Sequence, residues 1–371
     1  MKNSHTLSLI SEAFEKAQKF NYERYTSEIE NISQNIPNVR SSRQKHKVNQ
    51  ILERIGLHLM YKSVFEELEN NSYSKMGKWS SVGTFQLALK NPEKFDEVYN
   101  LFTDADSKST FDWFIKYRLE YAFLGELAGE VFPPKITKAK FLKGMNSLKI
   151  DSHRLMGIQN LRFKSSVLET AQSWVFEQYN LDGKCEVSRG DYIIDGEAFK
   201  GETSFWFLSK GAGKVYAFEP DHYNFSILCK NIIRNKVEDK IIPVQKILSN
   251  RTGTFSLYAT SSAGSVALTE GNETVEGITL DSFVEKEGLQ KLDFIKLDVE
   301  GAELEVLEGA VETIKKFKSK MAISAYHKPE DIITISEFIL QFLPNAKFYL
   351  SHKNWGWSDT VLFVNPRIIQ V

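Results

Sequence analysis

The sequence predicts an α/β chain, with a doubly wound parallel sheet in residues 151–371 preceded by a mainly helical domain in residues 1–150. Three observations predict it. Apolar residues recur at helical spacing through the first part of the chain. After about Lys149, short apolar runs alternate with amphipathic stretches, the pattern of a parallel sheet covered on both faces. Acidic residues stand where three of those runs end: Asp195, Glu219 and Asp298.

The length of 371 residues suits two domains, and 42% hydrophobic with 26% charged residues is globular composition. Lys and Arg number 47 against 48 Asp and Glu, a formal net charge of −1. That balance argues against nucleic acid as a partner. No run approaches the roughly 20 apolar residues of a membrane span. The first residues, MKNSHTLSLISEAFEK, lack a secretory apolar core, so the expected compartment is the cytoplasm. Two cysteines, Cys185 and Cys229, exclude a disulfide scaffold and read as reduced thiols.

In order, helices are expected over Leu7–Asn31, Ser41–Asn70, Thr84–Lys90, Pro92–Phe102 and Ser109–Val131, before Pro133-Pro134 breaks the chain. The aromatic stripe of the last, Phe111 to Phe123, reads as core. The helical part is a candidate for homo-oligomer contacts, for a lid or for acceptor recognition. Beyond it, Val167–Tyr179 reads as a helix. Strands and helices then alternate: Tyr192–Asp195, Thr203–Ser209, Lys214–Glu219, Tyr223–Asn235 and Ile241–Gln245. Extended pieces follow at Thr254–Ala259 and Gly277–Leu280. Next come strand Asp293–Asp298, helix Glu303–Lys316, strand Met321–Tyr326 and helix Ile332–Phe342, with a closing pair of strands at Phe348–His352 and Thr360–Val364.

Ligands of such sheets bind at the carboxyl ends of the strands. The first strand ends in Asp195, followed by Gly196-Glu197-Ala198-Phe199-Lys200-Gly201-Glu202-Thr203 and a helix. Small residues let backbone approach a ligand, and the helix start offers free N–H groups. The second strand ends Ala217-Phe218-Glu219-Pro220. A carboxylate there grips ribose hydroxyls, and Pro220 fixes the chain direction after it. Asp195, Glu197, Ala198, Gly201, Thr203, Glu219 and Pro220 are therefore the candidate nucleoside-binding residues.

From about Ser165 onward the chain resembles the FkbM-type S-adenosylmethionine-dependent methyltransferases. The resemblance rests on Tyr192–Thr203, on Val215-Tyr216-Ala217-Phe218-Glu219-Pro220, and above all on Phe294-Ile295-Lys296-Leu297-Asp298-Val299-Glu300-Gly301-Ala302-Glu303. Ala325–Asp331 is similar to a late segment of one branch. The resemblance implies a Rossmann-like methyltransferase sheet, S-adenosyl-L-methionine as cofactor, and a sugar or glycan hydroxyl as acceptor. The chain departs from the family at Glu197, where glycine is usual.

Asp298 closes the fourth main strand, and Glu300 follows two positions on. Two carboxylates at the mouth of the cleft can hold an acceptor hydroxyl, stabilise positive charge, or share a divalent cation such as Mg2+. His327 ends the fifth strand and is suited to accept a hydroxyl proton. Asp298, Glu300 and His327 are thus the expected catalytic residues, with Asp298 and Glu300 the expected metal pair. Trp355 and Trp357 suit either stacking on a sugar or packing in a hairpin. The competing function is a non-catalytic binding or assembly protein that retains a methyltransferase-like domain.

Overall fold

The computed structural model describes residues 4–34, 72–152, 155–258, 266–268 and 273–367. The helix expected over Ser41–Asn70 lies outside the described residues. The chain forms two compact units, residues 1–96 with 112–133, and residues 97–111 with 134–371. Residues 134–150, grouped with the helical part on sequence grounds, belong to the second unit.

The first unit is helical. Helix His5–Gln34 matches the apolar spacing from Leu7, and Leu9, Ile10 and Ala13 are buried. Helix Ser72–Lys90 is longer than the expected Thr84–Lys90. Gly77, Gly83 and several serines weaken its sequence signal, since these residues are poor helix formers. The same small residues let neighbours approach, and Ser80, Ser81 and Thr84 are buried. Arg118 is 1% exposed, and its Nη1 donates to Ser80 Oγ at 2.7 Å. In helix Ala105–Leu124, Phe111, Phe114, Tyr117 and Tyr121 are buried, but Trp113 is half-buried and Phe123 is 58% exposed, so the aromatic stripe is core only in part.

The second unit holds the α/β fold. A short hairpin, β1 (Met156–Ile158) and β2 (Leu161–Phe163), precedes the main sheet. That sheet has seven strands: β3 (Tyr192–Gly196), β4 (Lys214–Phe218), β5 (Ile241–Val244), β10 (Phe294–Leu297), β11 (Lys320–Ser324), β12 (Lys347–His352) and β13 (Thr360–Asn365). Its order is β12-β13-β11-β10-β3-β4-β5. The strands from β11 to β5 run parallel, and β13 is antiparallel to both β11 and β12. The strands read as continuous apolar runs because they are buried on both faces. A smaller sheet, ordered β6-β9-β7-β8, joins β6 (Ile247–Leu248), β7 (Gly253–Tyr258), β8 (Val266–Leu268) and β9 (Glu273–Ile278).

Three stretches of this unit differ from expectation. The stretch Glu303–Lys316 is two helices, Glu303–Glu308 and Val311–Phe317. A Cβ on the intervening Gly309 would stand 2.2 Å from the Ser249 carbonyl oxygen, so the break serves a close backbone approach. Leu280–Lys286 is a helix capped by Thr279, where the sequence reads as ending an extended piece. The stretch Val167–Tyr179 begins as a helix over Val167–Thr170 and widens into a π-turn at Ala171–Val175. Among the described residues no helix is long and apolar enough to cross a membrane.

Candidate active site

Strand register brings four loops to one edge of the sheet. Gly196 pairs with Phe218 and with Leu297, and Leu297 with Ile323, so β3, β4, β10 and β11 end nearly level. The loop after β10 therefore emerges between those after β3 and β11, which places Asp298 between Glu197 and His327.

Within the sheet, Lys296 pairs across strands with Asp195. Lys296 is 2% exposed; its Nζ lies 3.3 Å from Asp195 Oδ1 and donates to the carbonyls of Gly196 at 2.9 Å and Glu197 at 2.8 Å. Burial opposes its charge, but Asp195, Asp298 and Glu197 raise its pKa further, so it stays an ammonium. Asp195 Oδ2 accepts from Thr203 Oγ1 and Ser204 Oγ, both at 2.6 Å. Asp195 is completely buried and lines neither cleft described below, so it positions the loop from beneath.

That loop is left-handed at three positions: Glu197 (φ 61°), Phe199 (φ 51°) and Gly201 (φ 99°). Only glycine adopts this conformation without cost. The departure from the family's usual glycine thus falls on a residue whose backbone calls for one. Strained backbone recurs at Glu300 (φ 54°) and Asp359 (φ 71°), close to the same edge.

Two clefts open there. The apolar one is lined by Phe218, Pro220, Ile247, Leu248, Val299 and Ala302, with Lys246 and Glu197. The acidic one is lined by Ala198, Phe199, Thr203, Asp298 and Glu300, and by the unanticipated Glu169, Gln172, Gln178, Tyr179, Glu202 and Lys296. Glu197 lines both. Burial and the nearby Glu300, Glu219 and Asp298 push its carboxyl well up. Gly201 lies outside both linings and serves as the left-handed N-cap of helix Glu202–Ser209. Glu219 is also outside them: its oxygens accept from the backbone amides of Phe199 at 2.8 Å and Asp221 at 2.9 Å. Its first visible task is to tie the β3 and β4 loops together. His222 is exposed and lines neither cleft.

Asp298 is held by two phenols. Tyr179 donates to Oδ2 at 2.7 Å, and Tyr326 to Oδ1 at 3.3 Å. Burial works against its charge, but Lys296, His327 and the Tyr179 bond hold its carboxyl below the usual range. His327, 3% exposed, is ringed by acids. Nδ1 lies 3.0 Å from Glu303, and Nε2 lies 3.4 Å from Glu300 and 3.8 Å from Asp298. Burial opposes its proton, but these carboxylates raise its pKa well above the ordinary value.

His327 stands beyond β11, which ends at Ser324 and does not run to the histidine, and it lies outside the cleft lining, where the surrounding carboxylates favour its protonated form. The acid that does face the cleft beside Asp298 is Glu300, pushed up to about 7 by burial, with His327 opposing and Asp298 and Glu303 reinforcing. Asp298, Glu303 and His327 each offer a ligand atom within 4.8 Å of the others, and Glu300 is not in that group. Trp357 is buried against Tyr326 at 5.8 Å and is core, whereas Trp355 lies under the Lys138 ammonium at 4.7 Å.

Sequence reasoning missed Tyr179, Glu169, Glu202 and Lys296. Only Lys296 left a signal, a charge inside an otherwise apolar strand. Cys185 is buried, and both cysteines are free.

Comparisons with known proteins bear on the family and the fold. The family model of the methyltransferase FkbM domain matches residues 190–356. The hexuronic acid methyltransferase AglP of Haloferax volcanii is 32% identical over 122 residues, 32% of this chain and 50% of that protein. The methyltransferase sdnD of Sordaria araneosa is 27% identical over 157 residues, 33% of this chain and 61% of that protein. The chain thus spans between half and two thirds of the length of these relatives. The crystal structure of a methyltransferase FkbM from Methylobacillus flagellatus superposes with a TM-score of 0.52 at 18% identity, over 75% of this chain and 59% of that one, a likeness of fold. The clefts at the carboxyl edge of β3, β4 and β10 therefore belong to a Rossmann-like sheet, and residues 190–356 of this chain match the methyltransferase FkbM domain model.

Proposed function

We propose that this protein is an S-adenosylmethionine-dependent O-methyltransferase whose acceptor is a hydroxyl of a sugar or glycan. The observation that carries the reading is the meeting of an apolar and an acidic cleft at Glu197, above β3, β4 and β10. The donor set fits the cofactor. Phe218, Pro220, Ile247, Leu248 and Val299 offer an apolar slot for adenine. Each oxygen of Glu219 is engaged once and keeps acceptor capacity for a ribose hydroxyl. The carboxyl groups of the acidic cleft suit an ammonium and a sulfonium. Bound S-adenosylmethionine supplies a methyl carbon that its sulfonium has already activated.

The chain's own residues align the acceptor and move one proton. Asp298, ionised and fixed by Tyr179 and Tyr326, accepts a hydrogen bond from the acceptor and sets its orientation. Glu300 takes the hydroxyl proton; a carboxyl poised near 7 is matched to that task at neutral pH. His327 contributes positive charge behind both acids and positions them. The sugar acceptor draws support from the hexuronic acid methyltransferase relative.

The test is calorimetric titration with S-adenosylmethionine and S-adenosylhomocysteine, followed by transfer of labelled methyl to sugar acceptors. Micromolar binding and a Glu300→Gln variant that binds but does not transfer are expected. Folded protein that binds neither compound would overturn the reading in favour of a binding or assembly protein.

A further inference from the structure

Two neutral side chains of the acidic cleft have no part in the chemistry above. Gln172 and Gln178 line it and are 7% and 3% exposed. Both commit their amide nitrogen to one carboxylate, Asp359. Gln172 Nε2 donates to Oδ2 at 2.6 Å, and Gln178 Nε2 donates to Oδ1 at 3.0 Å. Asp359 is itself buried and lies outside the lining. Its Oδ2 also accepts from Ser358 Oγ at 2.9 Å and from Asn354 Nδ2. Four donors thus surround this carboxylate, and its backbone is left-handed (φ 71°), a strained conformation that persists only where the surroundings hold it.

This anchor decides which end of each glutamine amide is left for a ligand. A carboxylate only accepts, so both glutamines must turn –NH2 toward Asp359. Reversal would set a carbonyl oxygen against a carboxylate oxygen. The carbonyl ends remain: neither Oε1 takes a hydrogen bond from the protein, and neither is sealed from solvent. Since both side chains are otherwise buried and line the cleft, these oxygens open onto it. The wall therefore carries two neutral acceptors of fixed orientation. Each calls for a ligand donor, because an acceptor left unpaired once a ligand has expelled water costs affinity.

Resting on the O-methyltransferase reading, we propose that Gln172 and Gln178 determine acceptor specificity by accepting hydrogen bonds from two free hydroxyls that flank the methylated one, and that Asp359 is the positioning residue that aims them. Their placement supports this. Tyr179, next to Gln178 in sequence, donates to Asp298 at 2.7 Å, and the two glutamines share a cleft wall with that carboxylate, which orients the reacting hydroxyl. The substrate class is accordingly a sugar with at least three hydroxyls, unsubstituted at the two that are read. A sugar alkylated or dehydroxylated at either carbon leaves a glutamine carbonyl unpaired and is rejected. A site built to pair a hydroxyl discriminates against its absence more sharply than an apolar pocket discriminates by size.

The experiment titrates protein saturated with S-adenosylhomocysteine with glucose, galactose and mannose, and with analogues of each carrying fluorine in place of the hydroxyl at C2, C3 or C4. Fluorine is close to hydroxyl in size but cannot donate a hydrogen bond. For the parent sugar that binds most tightly, fluorination is expected to weaken binding at least about fivefold at two or more positions. Gln172→Met should erase the penalty at one of these positions and Gln178→Met at another, with S-adenosylhomocysteine affinity within about twofold of the parent protein. Should either variant not fold, Asp359→Asn gives the readout. An amide there lets the glutamines reverse, so both penalties should fall at least about threefold. Analogues that bind as well as their parents, penalties that survive in the folded variants, or no binding of any sugar overturns the proposal. So does a loss of S-adenosylhomocysteine affinity in the glutamine variants, which would give the two carbonyls to the cofactor's ammonium. Failure of the unaltered protein to bind S-adenosylhomocysteine at all overturns instead the methyltransferase reading beneath it.

Discussion

The phenol of Tyr179 donates to Oδ2 of Asp298 at 2.7 Å, joining the segment after a π-turn to the end of β10. The π-turn at Ala171–Val175 and the left-handed Glu177 (φ 49°) precede Tyr179, which together with Gln178 lines the cleft. A hydrogen bond to a charged group contributes about 1.5–3 kcal/mol. Tyr179→Phe is therefore expected to lower kcat roughly ten- to a hundredfold, with S-adenosylhomocysteine affinity within about twofold of the parent. A variant with parental kcat would show that Asp298 needs no such anchor.

Glu197→Gly should make the protein more stable. The left-handed backbone costs a side-chain-bearing residue about 1–2 kcal/mol, part of which glycine returns through its freer unfolded chain. A net gain of about 1 kcal/mol corresponds to a melting temperature higher by roughly 2 °C in a chain of this size. Because Glu197 lines both clefts, the same change should also tighten S-adenosylmethionine, by clearing a side chain from the point where the two clefts meet. A lower melting temperature together with weaker binding would mean that Glu197 contributes contacts outweighing its strain.

The proposed base can be read from pH profiles. With Glu300 poised at about 7, kcat/KM should climb with pH up to that value and level off above it. Glu300→Gln should give a low, flat profile. His327→Gln should keep the rising limb but move it upward, because the imidazolium that favours the ionised form of Glu300 is gone. Loss of the limb in His327→Gln and its retention in Glu300→Gln would return the base role to the histidine.

Much of this architecture was legible because it is local. The apolar runs of β3, β4, β10 and β11 and the acids at their ends follow from alternation and burial, and Asp298 and Glu300 do line a cleft. Tyr179 was not legible, since it reaches Asp298 across 119 positions of sequence and lies in a stretch that reads as an ordinary helix. The protonation of His327 was likewise hidden. It depends on Glu303, which sequence assigns to a helix start but which the fold buries 3.0 Å from the imidazole. The strain at Glu197 shows only as a mismatch between residue and backbone that no periodicity encodes.

Chelation separates the two readings of the Asp298 cluster. His327 already supplies a cation to Asp298, Glu300 and Glu303. Treatment with EDTA is therefore expected to change labelled methyl transfer by less than about twofold. A loss of tenfold or more, restored by Mg2+, would give the cluster to a metal and make Asp298 a ligand.

The ligand-free protein should be more stable in mild acid than in mild base. Glu202 and Glu219 are pushed from 4.5 up to about 8, Asp331 from 3.8 up to about 8, and Glu300 up to about 7, in each case chiefly by burial. Between about pH 4.5 and 8 the folded protein therefore binds more protons than the unfolded chain, and stability falls as pH rises through that window. His327 acts in the same direction: its raised pKa stabilises fully below the unfolded value of 6.5 and is lost only as pH climbs through the folded one. Thermal melts should show a higher midpoint at pH 5.5 than at pH 8, and Glu202→Gln should flatten the slope by removing one of the buried acids. Saturation with S-adenosylmethionine should flatten it too, because its cationic groups favour the ionised carboxylates. A midpoint that is constant or rises toward pH 8 would show that these acids are ionised in the folded protein without any ligand.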